Sequence, residues 1–170
     1  MKGRLANLFK AGLLVVLVVG MTAFSGDPGK QNNDSKKSSK KSVEPKINWV
    51  TIEELHELNK TEPRKVFIDI YATWCGPCKL MDKKTFADPQ IVQYVNEHYY
   101  AIKLNGEGKK QVNLFGKTMS ERELAYAFRI QGYPSVVFMD EELQPYQPVA
   151  GYIPAKNFIE MLKQFNGEQI

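Results

Sequence analysis

An α/β fold, a mixed sheet covered by helices on both faces, is what this chain predicts, from three observations. From Ile47 onward, apolar strand-like runs alternate with helical patterns, as expected of strands joined by helical crossovers. Near the C-terminus two strand candidates follow each other closely ahead of a last amphipathic helix, which makes the sheet mixed. The 170 residues, 43% apolar, are enough for one ordinary core and a leader.

Residues 1–25 read as a signal peptide, or as a membrane anchor if they are not cleaved. Lys2, Arg4 and Lys10 stand without any acid, and the run Ala11 to Val19 is apolar apart from Gly12. Ala23 and Ser25 supply the small residues of a cleavage site before Gly26. The apolar stretch falls short of the ~20 residues that a spanning helix prefers, which favours cleavage. No cysteine follows that stretch closely, so a lipid-modified lipoprotein is excluded. Residues 26–46, rich in Lys, Ser and Asn, cannot bury enough surface to offset the entropy of ordering and read as a disordered tether. Lys36, Lys37, Lys40 and Lys41 give it a possible membrane association through anionic head groups, though few apolar anchors accompany them.

The domain proper, 47–170, opens with a strand candidate at Ile47 to Val50. Thr51 with Glu54 is a capping box that starts a helix running to about Lys60. Val66, Phe67, Ile68, Ile70 and Tyr71, interrupted only by Asp69, read as a buried central strand. A helix over Gly76 to Phe86 follows, and Asp88-Pro89 caps a second helical segment with Ile91, Val92 and Val95 on one face. Tyr99 to Leu104 is the next strand, and Asn105 to Lys117 reads as a loop rich in glycine and lysine. Ser120 with Glu123 opens another helix, with Leu124, Ala127 and Phe128 on its apolar face. Val136 to Met139 and Tyr146 to Ala150 are the last strands, and Phe158, Ile159, Leu162 and Phe165 mark the final helix.

The net charge of +4 misleads until it is divided. Residues 1–46 hold nine Lys/Arg against three Asp/Glu, which leaves fourteen against sixteen for the domain. A mildly acidic domain does not fit a nucleic-acid partner.

Cys75 and Cys78 are the only cysteines, at C-x-x-C spacing. A disulfide across two residues restricts the unfolded chain very little, so stability is a poor reason for the pair. At a helix start, free backbone N–H groups and the helix dipole favour a thiolate at the first cysteine. That makes Cys75 the nucleophile and Cys78 its resolving partner. The competing readings are incidental core cysteines or half a zinc site, which only His56 and His98 are left to complete.

Trp74-Cys75-Gly76-Pro77-Cys78-Lys79 resembles the active-site sequence of the thioredoxin family, and the resemblance covers about Ile47 to Asn166. Asp69 lies on the preceding strand where thioredoxins keep a buried acid, and Lys103-Leu104-Asn105 resembles the strand that carries their partner lysine. Gly132-Tyr133-Pro134-Ser135 is similar to the cis-proline loop, and Gly151 to the glycine before the last helix. Thr85-Phe86-Ala87-Asp88-Pro89 looks more like the exported branch that includes the C-terminal domain of the membrane thiol:disulfide interchange protein. The connection from Asn105 to Pro134 is longer than in thioredoxin, around Gly106 to Lys117.

The resemblance implies a thioredoxin-like fold and an exported, periplasmic or envelope enzyme that reduces protein disulfides through Cys75 and Cys78. It implies no cofactor beyond that redox pair and no metal. Asp69, if buried, takes the Cys78 proton, and Lys103 either pairs with it or is a solvated strand lysine. Tyr133 and Pro134 dock an extended substrate segment, Trp74 lines the rim, and Gly76 and Pro77 help to set the redox potential. The expected partners are disulfide-containing proteins and a membrane electron donor, with the chain acting as a monomer. An oxidase or isomerase for exported proteins and a non-catalytic binding or chaperone module are the competing functions.

Overall fold

The computed structural model describes residues 45–114 and 116–169. The expected leader, and the tether apart from its last two residues, lie outside the described residues. The elements run β1 (Trp49–Val50), α1 (Ile52–Thr61), β2 (Lys65–Tyr71), α2 (Gly76–Lys84), α3 (Pro89–His98), β3 (Tyr99–Asn105), β4 (Gln111–Leu114), β5 (Lys117–Ser120), α4 (Glu121–Ala127), β6 (Ser135–Met139), β7 (Val149–Ala150) and α5 (Ala155–Phe165).

Local chemistry explains most of these boundaries. Thr51 accepts from the Glu54 amide while Glu54 accepts from the Thr51 amide, a reciprocal cap for α1. Ser120 and Glu123 cap α4 in the same way. Asp88 accepts from the amides of Gln90 and Ile91, with Pro89 as the first residue of α3.

The main sheet has the order β1-β3-β2-β6-β7, with the first three strands parallel, β6 antiparallel to β2 and β7 antiparallel to β6. Alternation along β2 divides the core. Val66, Ile68 and Ile70 pack with Leu55 of α1 and Leu124 of α4, whereas Phe67 packs with Met81 of α2, Val92 of α3 and Phe158 of α5. Phe67 is the hub of the second layer, with its ring edge-on to Trp49 and Phe158 and stacked on Phe86. The mixed sheet flanked by helices is as the sequence predicts.

Three expectations need correction. The Asn105 to Lys117 loop contains β4, which pairs antiparallel with β5 and buries Val112 and Leu114 against the α1 side of the core. Two apolar residues in alternation were too short a signal among so many glycines and lysines. The last strand is only Val149–Ala150, because the chain before it touches β6 through a single bridge from Pro145 to Met139, and prolines cannot donate to a ladder. On α4 it is Ala125, with Leu124, that is buried, while Ala127 is exposed.

Candidate active site

Strand alternation places Asp69 of β2 and Lys103 of β3 on the Phe67 face, toward the layer that holds α2. The two are register partners across the parallel pair. Lys103 Nζ donates to Asp69 Oδ2 at 2.9 Å and also to Asp82 Oδ1, which reaches in from α2. The ammonium lies 4.8 Å from the Trp49 ring centre and is flanked by Tyr71 and Phe86, so aromatic faces share its charge.

The Asp69 side chain is only 3% exposed, and its Oδ1 is buried without a hydrogen-bond partner among the described residues. Burial raises its pKa above the usual carboxylate range, more than Lys103 lowers it. Burial pulls Lys103 down, but Asp69 and Asp82 together leave its pKa raised. The two partners respond unequally because Asp69 is the deeper group and has one cation, whereas Lys103 has two acids and keeps some solvent.

At the start of α2, the sulfurs of Cys75 and Cys78 are joined in a disulfide of 2.04 Å. Cys75 is the N-cap residue, and its Sγ accepts from the Cys78 amide at 3.1 Å. Its own amide donates to Ala72 O, which closes the turn out of β2. Gly76 and Pro77 are the exposed first residues of the helix. Both cysteines are nearly closed to solvent, at 1% and 5% exposure.

Above the sulfurs stands an aromatic rim. Trp74 is 67% exposed, with its Nε1 donating to Glu107 Oε2 at 3.0 Å and its ring edge-on to Tyr133 at 6.0 Å. Tyr133 is half-buried and packs on the cluster of Ala72, Cys75 and Cys78. The Tyr133–Pro134 bond is cis. That loop is held by Ser135 Oγ donating to Gly132 O and by the Gly151 amide donating to Pro134 O at 2.8 Å. Gly151 has φ +95°, a conformation that other residues rarely adopt, so it is more than an incidental turn glycine.

Of the nine expected site residues, Trp74, Gly76, Pro77, Tyr133 and Pro134 thus adjoin Cys75 and Cys78 or pack beside them, while Asp69 and Lys103 pair in the sheet and join α2 through Asp82, one helical turn after Cys78. His56 is an exposed residue of α1, and the His98 ring packs on Tyr94. Sequence reasoning missed Asp82 and Glu107. Asp82 was within reach of it, since it lies one helical turn after Cys78 on the same face. Glu107 gave no such signal, because only the folded loop brings it to Trp74.

A buried disulfide at a helix N-terminus, a buried acid on the strand that leads into it and a cis-proline loop whose tyrosine packs on it make up a thiol:disulfide oxidoreductase fold. Residues 53–166 match the thioredoxin-like domain, and the chain belongs to that family. The thiol:disulfide interchange protein DsbD of Actinobacillus pleuropneumoniae is 31% identical over 118 residues, which cover 67% of this chain and 18% of that protein. Its counterpart in Photorhabdus laumondii is 26% identical over 118 residues, 68% of this chain and 19% of that one. The chain thus matches about a fifth of the length of these curated relatives. Among solved structures, a DsbH oxidoreductase gives a TM-score of 0.56 at 16% identity, covering 82% of this chain and 93% of its own. A thioredoxin from Thermus thermophilus gives 0.57 at 19%, covering 71% and 88%. Both are likenesses of fold.

Proposed function

We propose that this protein is an exported, monomeric thiol:disulfide oxidoreductase that reduces disulfides in envelope proteins and is recharged by a membrane dithiol. The observation that carries the reading is the Cys75–Cys78 couple capping α2, with Asp69 buried in the adjacent layer. Export rests on the charged and apolar pattern of residues 1–25, and the reducing direction on Gly76-Pro77 between the cysteines.

In the reduced protein the Cys78 amide and the α2 dipole stabilise negative charge on Cys75. The Cys75 thiolate attacks one sulfur of a substrate disulfide, forming a mixed disulfide and releasing one substrate thiolate, which takes up a proton from solvent. Cys78 then gives its proton to Asp69, directly or through water, and attacks Cys75. The Cys75–Cys78 disulfide closes as the second substrate thiolate leaves, and that thiolate takes up a proton from solvent while Asp69 gives up the one it received. Two electrons have passed to the substrate, and a dithiol on a membrane partner returns them by the same exchange in reverse. Pro134 and the Tyr133 backbone dock the substrate segment by strand addition.

The test is capture with Cys78→Ser in the full chain. Cys75 is expected to remain joined to protein clients and to a membrane protein by mixed disulfides that dithiothreitol releases. A variant that captures no envelope protein would overturn the reading.

A further inference from the structure

The segment between β3 and β4 meets the cysteine rim through Gly106 and Glu107, neither of which takes part in the reaction above. Gly106 is buried, and its amide donates to Tyr71 O at 2.8 Å, which ties the segment to the end of β2. A Cβ at Gly106 would lie 2.4 Å from Tyr133 Cε1 and 2.6 Å from its Oη, well inside contact distance. The Tyr133 ring therefore occupies the space that any other side chain at 106 would need. Two residues on, a Cβ at Gly108 would lie 2.0 Å from Glu121 Oε2, while Gly108 O accepts from the Arg122 amide and Lys110 O from the Glu121 amide. The segment is thus clamped between the start of α4 and the rim. Glu107, between the two glycines, holds the Trp74 indole. Burial, and then the nearby Glu107 carboxylate, raise the Tyr133 phenol pKa, in keeping with how closely the segment closes on that ring.

We propose that Gly106 is a specificity-determining position: by leaving room for the Tyr133 ring it seats that ring on the cysteine pair, and so governs which protein segments and thiols reach Cys75. The reasoning rests on the reading of Cys75 as the attacking cysteine. With Cys75 only 1% exposed, access to sulfur is set by what covers it, and Tyr133 is the rim residue that packs on the cysteine cluster. The same ring borders the cis-proline segment on which a client docks. Moving it has opposite consequences for small and large partners. A small thiol gains access, whereas a protein client loses the wall against which it binds.

The contact at Gly106 is with the outer edge of the ring, so Gly106→Ala displaces Tyr133 rather than the backbone. Wild type, Gly106→Ala, Tyr133→Leu and the double variant are compared in two assays. One is the rate at which dithiothreitol reduces the Cys75–Cys78 disulfide, and the other is the KM for insulin reduction. Gly106→Ala is expected to speed the dithiothreitol reaction about threefold and to raise the insulin KM about fivefold, the size of effect that weakening one ordinary docking contact produces. In the Tyr133→Leu background the same glycine change does nothing further, because the ring it would strike is gone. Effects that run in the same direction in both assays, or that recur in the Tyr133→Leu background, overturn the proposal. Should Gly106→Ala fail to fold, Tyr133→Leu alone must still speed the dithiothreitol reaction, and a wild-type rate there overturns it equally. Wild type that does not turn over insulin would count against the reductase reading instead, while the dithiothreitol arm still decides the role of Gly106.

Discussion

The two sides of the disulfide are built differently. Beneath it, Asp69, Lys103 and Asp82 stand on two adjacent strands and a helix, fixed by register, and their chemistry is that of buried charge. Above it, Trp74, Tyr133, Gly106 and Glu107 come from turns and the segment after β3, held by loop hydrogen bonds and ring contacts. On the proposed mechanism the underside manages the Cys78 proton and the rim chooses what docks. Regular elements suit the first task because proton transfer demands fixed distances, and loops suit the second because they vary without disturbing the sheet.

Substitutions can break this division of labour, beginning with the sulfurs that both sides serve. Cys75→Ser is expected to abolish insulin reduction outright while leaving the thermal unfolding of the protein nearly as cooperative as before. Retained activity would favour a binding or chaperone module instead.

On the underside, Asp69→Asn is expected to slow turnover about 100-fold, the contribution of a positioned proton acceptor. It should also change how stability depends on pH. The raised pKa of Asp69 means that the native protein keeps a proton which the unfolded chain has already lost, over the window from the ordinary carboxylate pKa up to the raised one. Native stability therefore falls as pH rises across that window. Lys103 acts only at higher pH, since its stabilising charge is lost as pH rises through its own raised pKa. Melting curves across this range should show Asp69→Asn gaining on wild type as pH rises, with the gain vanishing toward acid. A constant offset would contradict the account of burial.

On the rim, Glu107→Ala removes the carboxylate that accepts from the Trp74 indole, and because both residues are exposed to water the loss is worth about 1 kcal/mol or less. The smallest effect is expected here. The insulin KM should shift by less than about threefold, and the indole fluorescence should change while the unfolding temperature scarcely moves.

The same division explains what was legible in the sequence. Caps at Thr51, Asp88 and Ser120 are satisfied within three residues, so their helices could be read directly. Asp69 was legible because it interrupts an apolar run, and strand alternation then dictates its face. Asp82 was legible in principle by helical spacing from Cys78 and was overlooked. Glu107 and Gly106 were not legible, because what makes them matter is contact with Trp74 and Tyr133, and no local pattern encodes such contacts. The β4–β5 hairpin escaped for a related reason: Val112 and Leu114 are its only buried residues on β4, and their burial depends on α1 and β3.

The central claim is that Cys75 and Cys78 form a reducing couple. A redox titration of the purified protein in defined thiol–disulfide buffers, followed by thiol alkylation, tests it most directly. A potential near that of thioredoxin, about −270 mV, is the expected result, and a value near −120 mV, typical of an enzyme that introduces disulfides, would contradict it.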